Sequence, residues 1–174
     1  TCPTIPDNDG DMLAMIRRRV KKKDPEAICH LGEKYFQGDL ALQKDVRKAI
    51  DLYTEAAELG SIQALFNLGN SYYFQQDEKR AVQFWSKAAM QGHVLARHNL
   101  GLYEDGNGNF DRAVRHYLIA AKIGVKESVE TIQLLLKDGD ATKEQYAEAL
   151  KGYRDAVEEM KSHDRDEAKI VLGH

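Results

Sequence analysis

Residues 86–92, SKAAMQG, carry a pattern that the chain repeats at a fixed interval. Ala-Ala-x-x-Gly also occurs in TEAAELG, residues 54–60, and in LIAAKIG, residues 118–124, so that successive copies lie 32 residues apart. An upstream alanine and an upstream aromatic residue keep the same interval. They are Ala49, Ala81 and Ala113, and Tyr53, Trp85 and Tyr117. A fixed period between about 20 and 50 residues is the signature of a solenoid repeat protein.

A second phrase precedes each copy of this pattern. It reads AICHLGEKY in residues 27–35, ALFNLGNSY in residues 64–72 and ARHNLGLYE in residues 96–104. Apolar residues recur three and four positions apart in both phrases, which is typical of amphipathic helices. Each unit is therefore predicted to be a pair of helices, A followed by B, and the fold to be an all-α solenoid of antiparallel helix pairs. Asp77 or Asn109 is predicted to cap the start of helix B, and the glycine of Ala-Ala-x-x-Gly, such as Gly92, is predicted to end it.

Small residues at equivalent positions predict close approach of helices A and B. Gly32, Gly69 and Gly101 fall in the middle of helix A, where each costs roughly 1 kcal/mol in helix propensity relative to alanine. Because this unfavourable residue occurs at three equivalent positions, we predict that close packing of the helices leaves no room for a side chain there. The second alanine of each Ala-Ala pair is assigned the same structural role. These alanines are Ala57, Ala89 and Ala121.

The ends of the array are predicted to be capped. Leu13, Ile16 and Val20 form an apolar stripe on a first helix, whereas Gln133 replaces the expected glycine in a fourth, degenerate repeat. Thr142 and Gln145 form a capping box that begins the last long helix. The predicted segments are a linker (1–8), a capping helix (9–23), repeats at 24–60, 61–92, 93–124 and 125–162, and a polar tail (163–174).

Composition narrows the class of partner and compartment. The 174 residues are 43% hydrophobic and 30% charged, with a net charge of −3, which weighs against nucleic acid as the main partner. No apolar run is long enough to span a membrane, and residues 1–10, TCPTIPDNDG, do not resemble a signal peptide. With two cysteines, Cys2 and Cys29, the chain has no disulfide framework. These features predict an intracellular, cytoplasmic protein, with the nucleus left open.

The repeated residues resemble the Sel-one-like repeat (SLR) family. Ala-x-x-x-Leu-Gly-x-x-Tyr, then Lys-Ala or Arg-Ala, an aromatic residue and Ala-Ala-x-x-Gly cover residues 24–124 well and 125–161 loosely. The related tetratricopeptide repeat has a similar pattern. The resemblance implies a right-handed superhelix and an adaptor or scaffold, without cofactor or catalytic activity, that binds another protein or peptide on its concave surface.

The resemblance also suggests an alternative in which a RING-like or MYND-like zinc finger precedes the repeats. Residues 1–13, TCPTIPDNDGDML, would be the tail of that finger, with Cys2 as the one candidate ligand. The repeats would then be the substrate-recruiting arm of a ubiquitin ligase. Enzymatic activity, with Cys29 or His98 as the residues to test, is the second alternative.

Partner-binding residues are carried over from the tetratricopeptide positions of helix A. An aromatic and polar mixture at these positions suits a peptide-binding surface. The alternative is that Phe66, Tyr73 and Leu102 fill the core. The candidates are Glu33, Phe36, Phe66, Asn70, Tyr73, His98 and Leu102.

Residues 17–23, RRRVKKK, concentrate six cations in seven positions. Such a run could steer an acidic partner or nucleic acid, or act as a nuclear address. The solvated face of a capping helix is the favoured interpretation. The cations are Arg17, Arg18, Arg19, Lys21, Lys22 and Lys23.

No motif predicts catalysis or metal binding. The six histidines include no pair spaced i,i+4, so the helical spacing of a zinc site is missing. Cys29 and His30 are adjacent in sequence, and adjacent helical residues do not face each other. Cys29 is therefore interpreted as a buried or groove-lining thiol.

Overall fold

Helices make up most of the described chain in a computed structural model, which describes the backbone of residues 9–172 and the side chains of residues 9–162. No strand occurs in that backbone. The predicted linker, residues 1–8, and the side chains of the predicted tail lie outside the described part. The helices are α1 Asp9–Val20, α2 Pro25–Gln37, α3 Val46–Glu58, α4 Ile62–Phe74, α5 Glu78–Met90, α6 Val94–Gly106, α7 Phe110–Ala121, α8 Lys126–Asp138 and α9 Lys143–Leu172.

The described chain divides after His93 into two compact units. In the first unit, α2 packs on α3 and α4 packs on α5, while α3 packs on α4. A three-residue turn joins α4 to α5 and an eight-residue loop joins α2 to α3, and the members of each pair run antiparallel. The core of this unit lies between the pairs. It consists of Ile28, Cys29, Ala49, Tyr53, Ala56, Ala64 and Leu68.

Helix α1 covers the exposed side of α2, as predicted for a capping helix. Ile16 is buried against Leu31, and Leu13 and Val20 pack around them. The longer loop of the first repeat also contributes Leu40 to this cluster. The apolar stripe of α1 therefore faces this cluster, with Ile16 buried and Leu13 and Val20 half-buried.

The second unit contains α6 to α9. Helix α6 packs on α7, α7 on α8, and α9 on both α7 and α8. Ala149 of α9 is fully buried, and Tyr146 and Tyr153 pack against the same core. The α9 backbone continues to Leu172, so residues 163–172 prolong this helix.

The glycines within the A helices each face an aromatic ring of the next helix. A Cβ on Gly32 would lie 2.7 Å from Tyr53 Cε1, and one on Gly101 would lie 2.5 Å from Tyr117 Cε1. A Cβ on Gly69 would overlap the Trp85 ring. The aromatic ring therefore fills the space that a side chain would need. Of the paired alanines, Ala89 and Ala121 are buried and Ala57 is half-buried.

Left-handed backbone ends each B helix, as the Ala-Ala-x-x-Gly pattern predicts. Gly60, Gly92 and Gly124 have φ of +98°, +91° and +102°, a region that residues with a Cβ rarely adopt. The equivalent position after α1, nine residues before the helix-A glycine, is Lys23, whose φ is +56°.

Side-chain caps begin several helices. The Asp77 carboxylate accepts from the Arg80 amide at 3.0 Å, and Thr142 and Gln145 form the reciprocal bonds of the predicted capping box. The prediction that Asn109 caps α7 in this way was wrong, because its side chain forms no cap hydrogen bond. Its amide donates to Glu104 Oε2 at 2.9 Å instead.

Candidate partner-binding surface

A polar network connects the A helices of the first unit. Asn67 Nδ2 donates to Glu33 Oε1 at 3.0 Å and to Cys29 Sγ at 3.4 Å. Gln63 Nε2 donates to Asn67 Oδ1 at 3.0 Å, and His93 Nε2 lies 3.1 Å from Gln63 Oε1. An amide oxygen only accepts, so His93 carries its proton on Nε2. The network fixes the side chains between α2 and α4.

Phe66 stacks on the imidazole that ends this network. The ring centroids of Phe66 and His93 are 4.3 Å apart and the planes are 20° from parallel. Burial lowers the pKa of His93, since desolvation disfavours the charged imidazolium. Phe66 is half-buried in this stack, so much of its area is already used within the unit.

Trp85 contacts two side chains on the next turn of α4, Asn70 and Tyr73. Its Nε1–H donates to Asn70 Oδ1 at 3.0 Å. Tyr73 leans on the same indole with ring centroids 5.3 Å apart, yet remains 50% exposed. The amide of Asn70 thus supports the core aromatic residue, whereas Tyr73 presents an open ring face.

Two phenylalanines continue the surface at the C-terminal ends of α2 and α4. Phe36 and Phe74 have ring centroids 6.2 Å apart, and Lys44 Nζ lies 5.8 Å from the Phe36 centroid. Phe74 is 75% exposed. The positions carried over from the repeat pattern omitted Phe74. The sequence did contain a sign that Phe74 is exceptional. It follows directly after Tyr73 and is the only aromatic residue at its repeat position, since the equivalents in the first and third repeats are Gln37 and Gly106.

In the second unit, His98 bridges α6 and α8. Its Nδ1 lies 2.8 Å from the Oγ of Ser128, which is fully buried, and its ring is 5.3 Å from that of Tyr117. Burial lowers the pKa of His98, and the charge of Glu127 partly opposes this effect. His98 is therefore partly occupied in holding two helices together.

Exposed leucines lie on the A helices of the second unit. Leu102 and Leu134 occupy equivalent repeat positions, two residues after the Leu-Gly leucine or its Ile132 counterpart, and Leu95 lies two turns before Leu102 on α6. All three are exposed. This surface is apolar, whereas the A-helix surface of the first unit is polar and aromatic.

The seven candidates thus differ in exposure. Tyr73 and Leu102 are exposed, which excludes a core role for them. The other five are half-buried and hold internal contacts. These are Glu33, Phe36, Phe66, Asn70 and His98.

Burial disfavours the thiolate form of Cys29. Desolvation, reinforced by the negative charges of Glu33 and Glu26, raises its pKa to about 12, and the thiolate is the nucleophilic form. Among the described residues, no three His, Cys, Asp or Glu side chains are grouped to hold a metal ion. The zinc-finger layout therefore gains no support, and Cys2 lies outside the described residues.

Paired helices joined by short turns, with glycine and aromatic residues at a fixed period, define an α-solenoid repeat protein. The Sel1 repeat family model matches residues 25–61, 62–93 and 94–125, more than half of the chain. The chain belongs to this family. A comparison with curated proteins gave no match.

Solved structures support the same assignment. The chain is similar to c5321, a protective antigen present in uropathogenic Escherichia coli strains that displays an SLR fold, with 30% identity and a TM-score of 0.70 over 84% of this chain. A Sel1 repeat protein from Oxalobacter formigenes is 27% identical, with a TM-score of 0.68 over 82% of this chain. The chain spans 33% and 62% of these two proteins. MamA is 25% identical, with a TM-score of 0.54 over 90% of this chain and 92% of its own.

Sel1 repeat proteins generally mediate protein–protein interactions, and their fold is typically non-catalytic. In the part of the chain that the structure describes, no helix has the length and apolar character needed to cross a bilayer.

Proposed function

We propose that the chain is an adaptor that binds a segment of another protein on the A-helix surface of its first unit. This surface consists of Glu33, Phe36, Asn67, Asn70, Tyr73 and Phe74. The observation that carries the proposal is the open aromatic pair Tyr73-Phe74 beside a fixed polar network.

The residues of this surface are contiguous. Glu33 and Phe36 are three positions apart on α2, and Asn67, Asn70 and Phe74 have i,i+3 and i,i+4 spacing on α4, so each set lies along one side of its helix. The Asn67–Glu33 hydrogen bond and the contact between the Phe36 and Phe74 rings join the two sides.

The chemistry of the surface suits an extended or helical segment with apolar side chains. A few hot-spot residues supply most of the binding energy at protein interfaces, and aromatic residues are enriched at such interfaces. The network holds its polar side chains in place before a partner arrives, which reduces the conformational entropy lost on binding. Binding therefore needs shape and polar complementarity but no reaction.

Capture from a native lysate tests this proposal, with Phe74→Ala as the variant. Phe74 is 75% exposed and its truncation leaves the core intact. Loss of an aromatic anchor is expected to lower the amount of a specifically captured partner about tenfold, corresponding to roughly 1.4 kcal/mol. The proteins retained by the parent and by each variant are quantified by mass spectrometry.

Met90→Ala is the matched control, because Met90 is 77% exposed and lies on α5, a B helix. A partner lost with Phe74→Ala and retained with Met90→Ala supports the proposal. Equal retention by both variants would contradict the A-helix surface, and loss with Met90→Ala alone would place the interface on the B helices.

A further inference from the structure

The six cations of residues 17–23 form an exposed cluster at the end of α1. Arg17, Arg18 and Arg19 occupy its last turn, and Lys21, Lys22 and Lys23 follow directly. In the described part of the chain, Arg19 is the one member with a carboxylate partner, Asp24 at 2.8 Å. Cations favour the C-terminal end of a helix dipole, but six in one place also repel one another.

The last cation occupies a position where the fold favours glycine. Lys23 is the repeat equivalent of Gly60, Gly92 and Gly124, and its φ of +56° is also left-handed. A side chain with a Cβ costs roughly 1–2 kcal/mol in this conformation. Leu40, Ala41 and Gln76 share this left-handed φ. Glycine would suit the turn better, so Lys23→Gly would remove one charge of the cluster without adding backbone strain.

The positive surface extends onto α2 and α3. Lys48 Nζ lies 4.1 Å from the centroid of the Tyr35 ring. Hydrogen bonding with Lys48, with a smaller effect from Arg17, lowers the pKa of the Tyr35 hydroxyl. Residues from three helices therefore converge, and Tyr35 lies between cations of α1 and α3.

We propose that this basic surface, formed by Arg17, Arg18, Lys21, Lys22, Lys23, Lys48 and Tyr35, docks an acidic segment of a partner protein. It is distinct from the A-helix surface proposed above, so either proposal can fail without the other. Carboxylates in an extended segment would pair with these cations, none of which forms an ion pair with a carboxylate in the described chain.

Features of the same surface argue against two other anionic occupants. Lys48 covers the Tyr35 ring from one side, and the ring is partly buried against the apolar clusters beside it, which leaves little of the ring for a nucleic acid base to stack on. In α1, Ile16 is buried and Leu13 and Val20 pack beside it, so the exposed side chain of Met15 is too little apolar surface for insertion into a membrane. Charge complementarity therefore favours a protein segment rich in Asp and Glu.

Fluorescence anisotropy with a labelled peptide of alternating Glu and Gly tests the proposal, with the Gln and Gly analogue as the neutral control. Binding is measured at low ionic strength, where the Debye length is about 30 Å, and at physiological ionic strength, where it is about 8 Å. The Glu peptide is expected to bind more tightly at low salt, and Arg18→Gln/Lys22→Gln is expected to weaken it roughly tenfold.

Lys79→Gln/Lys87→Gln is the matched control, because it removes two exposed cations from α5 of the same unit. Unchanged binding by this control and weakened binding by Arg18→Gln/Lys22→Gln support the proposal. No binding of the Glu peptide, equal binding of the Gln analogue, or equal weakening in both double variants would overturn it. Tighter binding of duplex DNA than of the Glu peptide at the same salt would also overturn it.

Lys23→Gly separates binding from folding. Glycine relieves the left-handed strain, so the melting temperature is expected to stay the same or rise, while peptide affinity falls roughly twofold with the lost charge. Unchanged affinity in this variant would contradict a role for Lys23 in docking. Phe74→Ala should leave the peptide affinity unchanged, which keeps the two proposed surfaces experimentally distinct.

Discussion

At the scale of single residues, the glycine of the Leu-Gly pair in each A helix of the three clear repeats is matched to one aromatic ring of the following helix. Gly69 faces Trp85, whose indole nitrogen also donates to Asn70 on the same helix. The ring therefore lies flat against the backbone of α4 and is fixed there by a hydrogen bond. A residue that lowers helix propensity thus allows one large core side chain to be placed.

Gly69→Ala is expected to destabilise the chain despite the better helix propensity of alanine. The new Cβ would overlap the Trp85 ring, and overpacking of this kind costs about 1–3 kcal/mol, against a propensity gain of about 1 kcal/mol. Gly106→Ala is the control, since no atom lies within 4 Å of its added Cβ. Thermal unfolding should show a lower melting temperature for Gly69→Ala only, and a shared increase would contradict the packing argument.

His98 is expected to make stability depend on pH. Burial lowers its pKa below the ordinary 6.5, so the unfolded chain takes up the proton more readily than the folded chain. Its contribution to stability is present above about pH 6.5 and is lost as the pH falls through the folded pKa.

The measurement is the fall in melting temperature between about pH 7.5 and pH 5.5, a window around the ordinary histidine pKa. His98→Gln should reduce this fall relative to the parent. His93 and His116, whose pKa values are also lowered by burial, will retain part of it. His30→Gln is the control because that side chain is exposed. An equal effect of both substitutions would contradict the assignment to His98.

At the scale of helices, residues of types that favour an N-cap differ in whether they form one. Thr142 Oγ1 accepts from the Gln145 amide at 3.2 Å, and Gln145 Oε1 accepts from the Thr142 amide at 2.7 Å. Asn109 precedes α7 at the corresponding place but its side chain bonds to Glu104. The residue type alone therefore does not decide whether a cap forms.

Thr142→Ala is expected to lower the free energy of unfolding by about 0.5–2 kcal/mol, because the Gln145 amide loses its acceptor, Thr142 Oγ1, at the start of α9. Asn109→Ala should cost about 0.5 kcal/mol or less, since it removes no cap bond. Chemical denaturation measures both values. A larger loss for Asn109→Ala would show that its bond to Glu104 stabilises α7 more than a cap would.

The helix pairs could be predicted from the sequence because small residues and periodic apolar residues constrain the backbone locally. Gly92 ends α5 by its own conformational freedom, and Ile16 lies on α1 at the spacing that burial requires. The absence of the Asn109 cap could not be predicted in this way. The Asn109 side chain has both an oxygen that could accept the cap hydrogen bond and an NH2 group, and that NH2 group donates to Glu104, five residues earlier on α6.

At the scale of the whole molecule, repeat spacing predicts which helices carry the candidate surface but not which side chains remain open. Asn70 occupies a predicted contact position, yet its oxygen is used by Trp85, whereas Phe74 lies outside the carried-over positions and is the more exposed. Exposure depends on contacts between neighbouring repeats, and these contacts follow from packing that a single-sequence pattern does not contain.

Repeat architecture also predicts that a destabilising substitution in the first unit affects mainly the neighbouring helices. Helix α4 packs on α3 and α5, whereas α1 packs on α2, and in repeat proteins stability is approximately a sum of such neighbour terms. Gly69→Ala should therefore raise amide hydrogen exchange most in α4 and α5 and least in α1, as measured by mass spectrometry of peptides from each helix. Met90→Ala provides the control for a substitution without packing strain. If exchange rose as much in α1 as in α5, the unit would open as one cooperative block, and the sum of neighbour terms would not describe it.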